Sequence, residues 1–348
     1  MRASCIIVSA ASLLWLSGLP VRADQNGAGK LKVYFVDVEG GQATLFVTPS
    51  GQSLLIDTGW PGRNYRDADR IVAAAKDAGL NRIDFVLITH FHDDHVGGVP
   101  QLVSRIPVGT FIDHGENREL DKGATEHDFA AYQKVLSDGS YKRILARPGD
   151  VLPINGIKAT VISADGNLIG NPLSGGGKPN LFCQSSEVRP TDQTENARSV
   201  GVQIVFGKLI LLDLGDLTWD KEMLLMCPVD KLGPVDVYIV SHHGWYQSSS
   251  PALVDAIHPR VAIMDNGEKK GGSIPTLTTV SHAPGLETLW QIHYSAEGGE
   301  AHNTSPQYIA NPLGADAAHY LKLTGSADGS FTVLNSRTGI IKGYAATP

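Results

Sequence analysis

Cysteine, long apolar runs and basic charge are all scarce in this chain of 348 residues. Three cysteines, Cys5, Cys183 and Cys227, are too few for a cysteine-ligated zinc module or a disulfide-built scaffold. Beyond the N-terminal segment, no run reaches the roughly 18 apolar residues that a membrane helix needs. Lys and Arg number 29 against 36 Asp and Glu, a formal net charge of −7. Such a surface offers no counterion-release affinity for long nucleic acid. No P-loop, dinucleotide fingerprint or Gly-x-Ser-x-Gly elbow occurs, so phosphate-cradling loops and that form of serine catalysis are set aside.

A 42% hydrophobic and 19% charged composition is that of a globular protein with a proper core. The N-terminus stands apart: Arg2, the apolar run "CIIVSAASLLWL", Pro20 and "VRA" have the three-part pattern of a secretory signal peptide. Cleavage is predicted after Ala23, leaving residues 24–348 as a single domain in the periplasm or outside the cell. Removing Arg2 and Arg22 with no acid leaves 27 basic residues against 36 acidic, a net charge near −9. In an oxidising exterior Cys183 and Cys227 could pair; two buried thiols are the alternative, since Cys227 closes the apolar run "EMLLMC".

Along the mature chain, "LKVYFVDVEGGQATLFVTP" predicts a hairpin turning at Gly40-Gly41, and "QSLLIDTG" a further strand ending at Asp57. "DADRIVAAAKDAGL" carries helical spacing with Gly79 as a C-cap. "IDFVLITH" is a strand covered on both faces. Further strands are expected at 108–115, 143–147 and 157–163, with helices near 97–106 and 125–137. The second half repeats this logic with the hairpin "SVGVQIVFG"/"KLILLDLGD", a helix at 219–227, the buried strand "VDVYIVSHHG", a helix near 250–257 and the strand "RVAIMDNG". The tail reads as two or three antiparallel strands turning at Asp328-Gly329. Residues 166–196 show no periodicity and are expected to form an active-site loop; residues 268–305 likewise show no readable pattern.

The densest chemistry is "THFHDDHVGG", residues 89–98, with three histidines and two aspartates between positions 90 and 95. Along a strand, positions i and i+2 face the same way, so His90 and His92 can grip one cation between them. Asp94 and His95 follow the turn and address a second position. Imidazole with carboxylate suits zinc, or manganese or iron where oxygen dominates. Two ions about 3.5–4 Å apart can share a hydroxide, lower its pKa towards 7 and clamp a substrate oxygen.

On these residues the sequence resembles the metallo-β-lactamase superfamily, whose signature is HxHxDH, over nearly the whole mature chain. The resemblance implies a four-layer αββα sandwich and a two-metal hydrolase. It makes Asp57 of "LLIDTG" a group orienting the metal loop. Asp216 of "LLDLGD" becomes the bridging carboxylate, with Asp213 the weaker candidate. His243 of "VSHHG" becomes the last ligand, with His242 a neighbouring substrate or orienting group. The metal set is thus His90, His92, Asp94, His95, Asp216 and His243, with Asp94 and Asp216 catalytic. A further histidine common in the family is missing; Asn196 stands where it would fall. That "EN…S" pattern, with "VDVEGGQA" and the late "HHG", is similar to the ComEC-type branch. With one ligand fewer, the His90/His92 position is expected to bind metal more weakly or to lean towards manganese. Asn196, His293 and His302 remain candidates for substrate contact, whereas His114, His127, His258 and His319 read as structural or solvated.

The ComEC-type resemblance favours a phosphoester or phosphodiester, followed by a lactone or other ester and then a β-lactam. A small-molecule substrate is expected in each case. A metal-holding or ligand-binding module without turnover is the reading from another class.

Overall fold

A computed structural model describes the chain apart from residues 2–28, 121–122 and 348. The segment read as a signal peptide lies outside the described residues.

The first half supplies β1 (Leu31–Phe35), β2 (Thr44–Val47), β3 (Ser53–Ile56), β4 (Ile83–Leu87), β5 (Val108–Asp113) and β6 (Lys142–Leu145). Between them run α1 (Arg66–Asp77), α2 (Asp93–Val96), α3 (Val99–Val103) and α4 (Gly123–Gly139). The β1–β2 hairpin turns at Gly40, whose φ of 80° and approach to the backbone of Gly267 both require a missing side chain. Helix α1 ends as its spacing predicts, with Gly79 in the left-handed region at φ 84°.

Next come β7 (Lys158–Ala164), β8 (Asn167–Leu168), β9 (Lys178–Pro179), β10 (Gly201–Phe206), β11 (Leu209–Asp213), β12 (Val229–Asp230), β13 (Val237–Ile239) and β14 (Val261–Met264). Helices α5 (Trp219–Met226) and α6 (Pro251–Val254) accompany them. The chain finishes with α7 (Ile274–Ser281), β15 (Thr288–His293), α8 (Gly299–His302), β16 (Ile309–Asn311), β17 (Leu321–Gly325), β18 (Phe331–Asn335) and β19 (Ile341–Tyr344).

These strands build two large sheets, ordered β19-β18-β17-β1-β2-β3-β4-β5-β6 and β16-β15-β14-β13-β11-β10-β7-β8. Alternation along each strand divides its side chains between two cores. On β3, Leu54 and Ile56 join Phe46, Leu87, Val202, Leu211, Ile263 and Trp290 in the layer between the sheets. Leu55 faces the other way, into the layer with Ile71, Ala75, Leu102 and Tyr132 beneath α1, α3 and α4. A third layer, with Leu212, Tyr238, Leu225, Leu253 and Leu277, lies between the second sheet and α5, α6 and α7. The result is the expected αββα sandwich. The tail strands do turn at Asp328-Gly329, but they complete the first sheet through β17 and β1 rather than extending the second.

Two stretches carry more structure than expected. Residues 268–305 contain α7 and β15, a fully buried strand. Their apolar residues are interrupted by Gln291 and His293, both buried and hydrogen-bonded, which hides the strand from a hydropathy pattern. Residues 166–196 hold β8 and β9 and are tied to the end of α5 by a Cys183–Cys227 disulfide.

The functional edge follows from strand direction. β3, β4, β5 and β6 are mutually parallel, as are β11, β13, β14, β15 and β16. Loops leaving the carboxyl ends of β3, β4, β11, β13 and β14 converge on one another, the usual place for chemistry in α/β sheets.

Candidate metal centre

Strand β4 ends at Leu87, so His90 and His92 do not extend it as the sequence suggested. They lie on the loop that follows, and His92 is the extended residue (φ −68°, ψ 153°) entering α2. The rings meet nonetheless, with His90 Nε2 3.0 Å from His92 Nδ1. The short α2 then turns Asp94 and His95 inward. Gly97 and Gly98 permit the tight packing behind it: a Cβ on Gly98 would stand 2.0 Å from the Thr58 carbonyl oxygen.

From the second sheet, the loop after β11 brings Asp216, and the turn after β13 brings His242 and His243. Ligand atoms of Asp94, His95, Asp216 and His243, all buried, lie within 4.8 Å of one another. His95 Nε2 is 3.1 Å from His243 Nε2 and 3.3 Å from oxygens of both Asp94 and Asp216. His243 Nε2 is 3.1 Å from Asp94 Oδ2 and 3.5 Å from Asp216 Oδ1. His90 Nε2 approaches Asp216 Oδ2 at 3.9 Å. Asp213 points elsewhere: it accepts from Gln42 Nε2 at 2.6 Å and from the Gly215 N–H.

The imidazoles of His90, His92 and His95 have their other nitrogen hydrogen-bonded, while His243 Nδ1 is buried without a hydrogen bond among the described residues. His95 Nδ1 donates to Asp57 Oδ2 at 2.7 Å, and Asp57 also accepts from the backbone and hydroxyl of Thr89. His92 Nε2 donates to Glu119 Oε2 at 2.9 Å, and His90 Nδ1 to Thr89 Oγ1 at 3.1 Å. His243 Nδ1 faces Asp265 Oδ1 at 3.4 Å. Such partners fix the tautomer and leave the opposite lone pair to a cation. Glu119 and Asp265 were not legible as parts of the site, because each reaches its histidine from a different loop; Thr89 opens the histidine motif itself, but nothing in the sequence marks its hydroxyl as a partner of His90. Glu195 was also missed beside Asn196. Buried, it accepts from His114 Nε2 and the N–H groups of Phe91 and Arg118, bracing the histidine loop.

The electrostatics favour positive charge at the centre. Burial opposes ionisation of Asp94 and Asp216, yet both stay well below the usual carboxylate range. Lys270 and His95 outweigh it at Asp94, and His242, His95 and His243 at Asp216. Burial likewise opposes charge on His95 and His243, but Asp216 with Asp94 or Asp265 raises both well above the ordinary histidine value. His90 is pushed well down, by burial first and then by its histidine neighbours. Protons on His95 and His243 thus stand where a divalent cation would displace them. Asp216 Oδ1 and Asp265 Oδ1 are buried without a hydrogen bond among the described residues. Nitrogen and carboxylate donors at this spacing fit a divalent cation.

Asn196 lies at the site, its Nδ2 3.4 Å from His242 Nε2. His293 and His302 do not join it. His293 is buried against Asp37 Oδ1 at 2.7 Å, and Asp37 is also paired with Arg70. His302 lines a separate groove with Thr278, His282 and Tyr308. Beside the centre, on the far side of Lys270, a cleft of about 560 Å³ is lined by Trp60, Arg63, Arg66, Lys269 and Lys270, with Glu39, Glu268 and Asp316. Lys270 Nζ contacts Asp94 Oδ2 and lies 4.6 Å from the centroid of a Trp60 ring.

Comparison with known proteins matches residues 36–177 to the model of the metallo-beta-lactamase superfamily. A hydroxyacylglutathione hydrolase of Stenotrophomonas maltophilia is 41% identical over 105 residues, 30% of this chain and 37% of that protein. The chain thus matches little more than a third of that relative's length. Among solved structures, the metallo-beta-lactamase fold protein YhfI of Bacillus subtilis is 14% identical, with a TM-score of 0.45, covering 75% of this chain and 96% of that one. A metallo-beta-lactamase of Cronobacter sakazakii is 16% identical, with a TM-score of 0.32, over 53% and 60% of the two chains.

Proposed function

Because residues 36–177 match the model of the metallo-beta-lactamase superfamily, we propose that the chain is a member of it and a metal-dependent hydrolase acting on a small anionic ester, a phosphoester or phosphodiester first. The observation that carries the hydrolase reading is the convergence of Asp94, His95, Asp216 and His243 on one point, with His90 and His92 beside it. Divalent cations there, zinc by donor type, supply Lewis acidity and lower the pKa of water. The chain's own residues do the rest. Asp57, Glu119 and Thr89 hold the imidazoles in one tautomer. The buried walls keep bulk water from the carboxylates. Lys270 presents its ammonium between Asp94 and the cleft, where a substrate anion exchanges for the carboxylate.

Lys270, set against Asp94 at the edge of the cleft, supports an anionic substrate, although the cleft's four cationic side chains are offset by Glu39, Glu268 and Asp316. The ComEC-like "EN…S" segment, with Glu195 and Asn196 against the histidine loop, supports the phosphoester choice. A second reading, a carboxylic thioester or ester, is supported by the relative named for acylglutathione hydrolysis. Export, proposed from the N-terminal sequence, is supported by the Cys183–Cys227 disulfide, a bond that persists in oxidising compartments.

A metal count on the purified protein, paired with hydrolysis of bis-p-nitrophenyl phosphate, an acylglutathione thioester, a lactone and a chromogenic β-lactam, tests this. We expect about two metals per chain and phosphodiester turnover that Asp94→Ala abolishes. Turnover of carbonyl substrates alone moves the function to the second reading. Less than one metal and no turnover rejects a hydrolase and leaves a binding module.

A further inference from the structure

The missing histidine leaves the His90/His92 position short of a ligand on the sequence, and the structure places another imidazole beside it. His242 is buried, and its Nε2 lies 3.3 Å from Asp216 Oδ2, the oxygen His90 also faces. Its Nδ1 hydrogen-bonds to Ser248 Oγ at 3.3 Å. His90 and His95 are arranged in the same way: one nitrogen faces the carboxylate cluster and the other is held by an oxygen.

The backbone makes the same point independently. His242 and His243 both have left-handed conformations, with φ of 58° and 54°, and Gly244 follows at φ 80°. Two consecutive non-glycine residues there are strained and persist only where surrounding contacts over-determine them. Those contacts are present: His242 N donates to Gly215 O, Trp245 N to His242 O and Gly272 N to His243 O. Along an extended strand, neighbouring side chains point to opposite faces. This turn instead brings adjacent rings, 6.2 Å between centroids, to the same carboxylate. His243 meets Oδ1 and His242 meets Oδ2. A histidine serving only as packing has no need of that geometry.

Asn196 completes the argument. It stands where the extra histidine of the resembled family would fall, and its amide lies 3.4 Å from His242 Nε2. The nitrogen missing from that segment is thus replaced from the opposite side of the site.

We propose that His242 is the third imidazole ligand of the His90/His92 metal position, beside Asp216, in place of the absent histidine. This rests on the two-metal reading above. It reverses the expectation of a weakened first position, because three imidazoles and one carboxylate form a full zinc-type donor set.

His242→Gly is the informative variant, since glycine adopts the φ of +58° without strain. Wild-type and variant protein are stripped with chelator, titrated with zinc, and assayed for bound metal by mass spectrometry after desalting. We expect two equivalents in the wild type and one tight equivalent in the variant, with the second weakened at least 10-fold. Millimolar imidazole, filling the space left by the ring, is expected to restore the second equivalent. Asn196→Ala, as control, is expected to retain two. Two equivalents of unchanged affinity in His242→Gly overturn this assignment while leaving the hydrolase reading intact. A wild type binding a single equivalent overturns the two-metal reading and this assignment with it. Loss of both equivalents from a variant whose circular dichroism matches the wild type also overturns a role confined to one position.

Discussion

Asp213 and Asp216 sit three residues apart and do opposite things, and the difference lies in their neighbours. Asp216 is surrounded by histidines and held ionised. Asp213 is buried with Asp265 and Asp57 nearby, and burial foremost pushes it up to about 7 against a weaker pull from Gly215 and Gln42. An acid whose folded pKa exceeds its unfolded value near 3.8 gives stability that is complete below that value. That stability is lost as pH rises through about 7, because the folded chain holds a proton the unfolded chain has released. Asp213→Asn mimics the neutral acid, with Gln42 turning its amide to match. We expect equal stability of variant and wild type near pH 4, and a variant more stable by on the order of 2–4 kcal/mol at pH 8. Urea denaturation at both pH values decides it; a constant difference across that range rejects the protonated Asp213. At this scale the sequence motifs led to His90, His92, Asp94, His95, Asp216 and His243. Asp265 and Glu119 escaped notice because a lone acid carries no pattern; only proximity gives it a role.

Among the elements, α2 shows how a single helical turn can be set by what lies behind it. Its four residues have too few internal hydrogen bonds to stand alone. Thr58 N and Oγ1 both donate to His95 O, Gln42 N donates to Asp94 O, and Gly98 lies flat on the Thr58 carbonyl. Gly98 has an ordinary helical φ of −75°, so contact rather than conformation demands glycine. Gly98→Ala is therefore expected to displace α2 and to lower stability by about 3 kcal/mol or more, in line with overpacking of a rigid site. Thermal unfolding measures this, and a melting temperature within 1 °C of wild type would contradict it. The sequence suggested a strand running through His90 and His92; the tertiary contacts to Thr58 and Glu195 instead end β4 early and turn the chain.

For the molecule as a whole, the long excursion between β7 and β10 is secured by its disulfide. Cys183 and Cys227 are 44 residues apart and tie this segment to the end of α5. Closing a loop of that length restricts the unfolded chain by about 4 kcal/mol on a chain-entropy model. The double variant Cys183→Ser/Cys227→Ser is expected to lose stability of that order while retaining its metals, since neither sulfur touches the centre. Urea midpoints with parallel metal analysis test this, and an unchanged midpoint refutes a structural role for the bond.

The sequence by itself determined the layers and the ligand-bearing motifs, because hydrophobic period and local residue spacing are properties of neighbours along the chain. The apolar run of β3, helical spacing in α1 and the crowding at positions 90–95 all belong to that class. What only tertiary structure decided depends on residues far apart meeting. The tail strands join the first sheet, β15 hides its polar residues against distant partners, His293 turns to Asp37 instead of the site, and His242 reaches Asp216 through a left-handed turn. Each rests on long-range burial and hydrogen bonding, whose energies outweigh local preference once the two sheets close.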